Sequence, residues 1–143
     1  MRLTSRRLLS VSAILMLLTA IAHTAGNVTP NTDPSVVALQ DRMKSHHFAL
    51  GLGMTPSMFD AFMLLVLIMT VTFTAFGALN LVLAAARDLP DRLLRLVIRI
   101  NAAWVAVFIG LCWFYRVPPP LISGIIIEIP LVAALFVSDS GAA

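Results

Sequence analysis

The sequence predicts an all-α fold, a membrane four-helix bundle with a short amphipathic helix in its first loop. Three observations predict it. Of 143 residues, 59% are hydrophobic and only 12% charged, whereas ordinary soluble domains carry about 25% charged residues. The apolar residues gather into four stretches, each near the roughly 20 residues that carry a helix across about 30 Å of hydrocarbon. The bases lie mostly to one side of those stretches. So little polar surface cannot coat a water-soluble globule, and disorder requires low hydrophobicity with high charge. The length allows one domain, residues 1–143.

The first span covers residues 8–25 and follows Arg2, Arg6 and Arg7. The second covers 58–86, long enough to cross with some tilt, and opens on Thr55-Pro56, a capping hydroxyl before a helix-starting proline. The third covers 93–115, and the fourth covers 118–137 and is broken by Pro130. Short links (87–92 and 116–117) make spans two and three, and three and four, antiparallel neighbours. The loop 26–57 is the only sizeable aqueous segment. Asp33-Pro34 reads as a helix cap there. Val36, Leu39, Met43 and Leu50 follow at roughly helical spacing, with Asp41, Arg42 and Lys44 among them. That pattern predicts an amphipathic helix lying on the membrane surface.

Charge sets the orientation. Arg2, Arg6, Arg7, Arg87, Arg92, Arg95 and Arg99 fall on one side, and only Arg42, Lys44 and Arg116 on the other. The basic side faces the cytoplasm, so both termini are expected there and the loop 26–57 outside. Residues 1–22 also fit a secretory signal, with Ala20-Ile21-Ala22 as the cleavage pattern. Cleavage would leave three spans.

Several residues resemble a family of uncharacterised small bacterial integral membrane proteins with four predicted helices. They are His23, the segment from Asp33 to Met43, Gly53 and Asp60, Phe76-Gly77-Ala78-Leu79-Asn80-Leu81, Leu93-Leu94-Arg95 with Asn101, and Phe114-Tyr115 with Pro118-Pro119-Pro120-Leu121. The resemblance runs over nearly the whole chain. It implies a bacterial inner-membrane location and an uncut first helix ending near His23. It implies no activity.

Polar residues within a span are expensive and each needs a reason. Glu128 lies near the middle of span four, where a carboxylate must pair with a cation or carry a proton. Pro130, two residues on, frees a backbone carbonyl and predicts a kink. At about 1.5 Å per residue, Glu128, Arg99, Asn101 and Asn80 all fall in the cytoplasmic half. Arg99 is long enough to reach Glu128 if both face the interior. The functional reading is a proton- or anion-linked site on Glu128 and Arg99. The plainer reading is a set of interhelical hydrogen bonds that fix register.

The outward side carries His23, His46 and His47 with Asp33, Asp41 and Asp60. Imidazoles with carboxylates can bind zinc or copper. Adjacent histidines diverge by about 100° on a helix, however, so solvated loop histidines are the plainer reading and no metal or other cofactor is expected. Thr70, Thr74 and Ala78 form a small-residue stripe beside Gly77, fitted to close helix packing. Trp113 and Tyr115 read as an interfacial belt. Phosphate loops, His-Glu-x-x-His and nucleophile elbows are missing, and the lone Cys112 excludes thiol-pair chemistry.

Three classes of function follow. The first is a non-enzymatic membrane module, whose partners are the lipid bilayer and a second copy or a larger membrane complex, with no nucleic acid. The second is a small oligomeric transporter or proton-coupled carrier acting through Glu128 and Arg99. The third is a membrane redox or lipid-handling enzyme using the outward histidines.

Overall fold

A computed structural model describes residues 4–137. They form five helices: α1 (Ser5–Val28), α2 (Pro34–Ser45), α3 (Met58–Ala85), α4 (Asp91–Phe114) and α5 (Pro118–Phe136). Four of them, α1, α3, α4 and α5, are long and apolar enough to cross a membrane. The chain packs as two units, one of residues up to Thr19 and from Phe73 onward, the other Ala20–Thr72.

The first unit holds segments of all four long helices, and each touches two others. On α1, Ser5, Leu9, Ser12 and Met16 recur at four- and three-residue steps and are all buried. The Ser5 hydroxyl donates to the Ala134 carbonyl of α5 at 3.2 Å. Arg6 donates to the carbonyls of Ala86 and Leu89, satisfying acceptors past the end of α3. At Gly77 of α3 an added Cβ would lie 2.8 Å from Leu17 Cγ and 3.0 Å from the Ala13 carbonyl, so α1 and α3 approach closely there. The buried face of α3 is Phe73, Gly77, Asn80 and Ala84. Thr74 and Ala78 are exposed. Within the first unit the α1–α3 contact therefore uses Gly77, beside the expected Thr70-Thr74-Ala78 stripe, and leaves Thr74 and Ala78 outward.

Between α3 and α4 the Phe73 ring meets Trp104 and Phe108 edge-on, each at 5.4 Å, and Phe76 stacks on Trp104 at 5.2 Å. Such pairs contribute about 0.5–1.5 kcal/mol each beyond their area. Helix α5 docks on α4 through Gly124, where a Cβ would lie 2.9 Å from Ile109. Helix α5 runs unbroken through Pro130, which is buried. The expected break is absent because one proline deletes one ladder bond while neighbouring turns hold.

The second unit is local structure around the loop. The Asp33 carboxylate caps α2, accepting from the Ser35 amide at 2.8 Å and the Ser35 hydroxyl at 2.7 Å. These donors hold the Asp33 carboxyl below the usual carboxylate range. None of the α2 residues is buried, Leu39 being 57% exposed. Leu50 falls beyond its end, in a tight turn whose Gly51, Leu52 and Gly53 all have positive φ. Leucine in that conformation costs about 1–2 kcal/mol. Helix α3 is capped by Ser57 rather than Thr55. The Asp60 carboxylate accepts from the Ser57 amide at 2.8 Å, and the Asp60 amide donates to the Ser57 hydroxyl at 3.1 Å. This reciprocal arrangement is a capping box. The Thr24 and Thr70 hydroxyls bond at 3.1 Å.

Candidate functional site

The polar residues of the first unit sort into an inner layer and an outer stripe. The inner layer starts from Asn80 and Asn101, 1% and 3% exposed. Each side-chain amide donates to the other's carbonyl, Asn80 Nδ2 to Asn101 Oδ1 at 2.8 Å and Asn101 Nδ2 to Asn80 Oδ1 at 3.1 Å. Asn101 Nδ2 also donates to the Val97 carbonyl at 2.8 Å, and Asn80 Nδ2 reaches Met16 Sδ at 3.7 Å. Four amide protons and two oxygens of two side chains are thus largely used within the bundle.

Glu128 and Ser12 lie near the same height. Ser5 of α1 opposes Ala134 of α5, so seven residues up α1 Ser12 stands near the level of Glu128. Gly77 opposes Ala13 and Leu17, which puts Asn80 near the level of Ser12. Gly124 opposes Phe108 and Ile109, which puts Glu128 within about one turn, or 5.4 Å, of Asn101. One polar residue from each long helix therefore falls in a single layer. Ser12 is fully buried, and its hydroxyl has no hydrogen-bond partner among the described residues; neither has Oε2 of the half-buried Glu128.

Arg99 does not join this layer. It is exposed and makes no ion pair with Glu128. Among the described residues the one ion pair is Lys44–Asp41 at 3.2 Å. The reason is rotational. The buried face of α4 is Leu94, Ile98, Asn101, Ala102 and Val105. Arg99 lies two residues from Asn101, about 200° around the helix, and Asn101 takes the inward place. Arg99 instead lines a groove with Asp91, Arg92 and Arg95.

The histidines are dispersed. His46 and His47 are exposed in the loop, and Nδ1 of His47 lies 3.1 Å from the Thr55 carbonyl. His23 sits in α1 with Nε2 buried and unpartnered among the described residues. Among the described residues no three His, Cys, Asp or Glu side chains gather closely enough to hold a metal ion. Trp113 and Tyr115 are exposed, at the end of α4.

Sequence reasoning passed over Ser12 and the Trp104 ring cluster. The available clue was the seven-residue repeat of small hydroxyls at Ser5, Ser12 and Thr19, which keeps one helix face polar. No family model, curated protein or solved structure matches this chain.

Proposed function

We propose that the chain is a non-enzymatic multi-pass module of the bacterial inner membrane, with both termini cytoplasmic, that assembles with itself or within a larger membrane complex. Membership of the family of small four-helix bacterial membrane proteins belongs to the same reading. The observation that carries it is the Asn80–Asn101 pair, in which mid-span amides satisfy one another and leave little capacity for a ligand. The apolar outer faces, such as Leu64, Leu65 and Leu67 of α3, fit lipid or a second copy. Light scattering of the full chain in mild detergent tests it. More than one copy per particle, or a stoichiometric second protein, supports the module. Isolated monomers do not.

A second reading, an oligomeric proton-coupled carrier, is favoured by one observation, the unpartnered buried oxygen of Glu128. Arg99 has no place in its site. Proton flux in vesicles that is lost in Glu128→Gln would replace the first reading with this one.

A further inference from the structure

Arg99 has left the polar layer and still needs an anion. Arg92, Arg95 and Arg99 follow one another at steps of three and four residues, so they line one side of α4. All three are exposed and share a groove with Asp91. None of the three guanidinium groups forms an ion pair or a hydrogen bond with another described residue. Arg99 lies eight residues beyond the start of α4, about 12 Å along its axis. On a membrane-crossing helix, an exposed position at that depth faces lipid. An unpaired guanidinium in hydrocarbon is costly by at least about 2.5 kcal/mol, so its side chain must reach the interface.

The direction is favourable. Helical side chains lean toward the helix N-terminus, and long basic stems extend further to the headgroups. Arg95 and Arg99 therefore lean back toward the Asp91 end, where Arg92 already stands. Three guanidinium groups against one carboxylate leave two net positive charges in the groove. Guanidinium forks bind phosphate oxygens in bidentate fashion. A zwitterionic headgroup would bring its own cation into this field, whereas an anionic one neutralises it.

We propose that the groove of Arg92, Arg95 and Arg99 binds the phosphate of an anionic phospholipid headgroup. The inference rests on the reading of α4 as a membrane span with its Asp91 end at the cytoplasmic interface. Native mass spectrometry of the full chain in mild detergent tests it, with phosphatidylglycerol, phosphatidylcholine and inorganic phosphate as probes. Phosphatidylglycerol is retained over phosphatidylcholine, by about fivefold for each arginine. Removing two of the three in R95Q/R99Q lowers that preference about 25-fold, with helicity unchanged. Added salt weakens the wild-type preference, a readout that needs no variant. Equal retention of both lipids, a preference that survives R95Q/R99Q, or displacement of the lipid by millimolar inorganic phosphate would each overturn the headgroup site. Release of the chain from membranes by alkaline carbonate would instead overturn the membrane reading beneath it.

Discussion

Replacing one asparagine of the inner layer should cost at least as much stability as replacing both. Asn80→Leu removes two interhelical amide bonds, of 2.8 and 3.1 Å. In membrane bundles such bonds average about 0.6 kcal/mol each. It also leaves the Asn101 carbonyl oxygen buried without its donor, at about 1–3 kcal/mol. The single variant should therefore lose about 2–4 kcal/mol of bundle stability. Asn101→Leu should lose a similar amount. It also deletes the bond to the Val97 carbonyl, but that carbonyl keeps its helical partner. The double variant N80L/N101L leaves no orphaned amide and should cost no more than either single change. The interaction energy between the sites is then at least as large as one single effect, about 2–4 kcal/mol. Reversible unfolding in mixed micelles, followed by circular dichroism, measures all four corners of the cycle. Additive single effects, or single effects below about 0.5 kcal/mol, would refute the account of the pair as the register-fixing contact.

Other expectations are narrower. Gly77→Ala forces a Cβ within 2.8 Å of Leu17 and 3.0 Å of the Ala13 carbonyl, and should cost about 1–3 kcal/mol in the same assay. Gly110 has open space around it, so Gly110→Ala should instead gain about 0.5–1 kcal/mol. The Asp33 cap gives a pH dependence in α2. Folding lowers that carboxyl's pKa, so the cap's contribution is present above the ordinary carboxylate range, near about pH 4, and is lost as pH falls through the folded value. The protection of the amides of residues 35–37, measured against their intrinsic exchange rates, should fall below that range in the native chain but not in Asp33→Asn, which caps without titrating.

The four long helices were legible because an apolar run of about 20 residues has few alternatives. Their ends were less so. Helix α1 begins at Ser5 and α4 at Asp91, before the apolar windows open, because helical hydrogen bonding continues through polar residues such as Arg6 and Arg92. Asp33 announced α2, but the α3 cap was misplaced by two residues. Thr55-Pro56 and Ser57-x-x-Asp60 both look like starts, and only the second closes a reciprocal pair of bonds. The turn at 51–53 left a glycine clue yet no sign that Leu52 would share its backbone conformation.

The inner layer was half legible. Depth along a span follows from counting residues, and Asn80 and Asn101, expected at related depths, bond to each other. Facing does not follow from depth. Asn101 and Arg99 differ by two residues and about 200°, and only packing decides which turns inward. Ser12 escaped because a single hydroxyl in an apolar span disturbs no hydropathy window, although its burial without a partner makes it as informative as Glu128.

Topology tests the central claim most directly. With Cys112→Ala as background, single cysteines at Asn31→Cys and Asp88→Cys report on the two connections that flank α3. A membrane-impermeant maleimide applied to intact bacterial cells should label Asn31→Cys at once, and Asp88→Cys only after permeabilisation. Equal labelling of both from outside, or the reverse order, would contradict a four-span module with its termini in the cytoplasm.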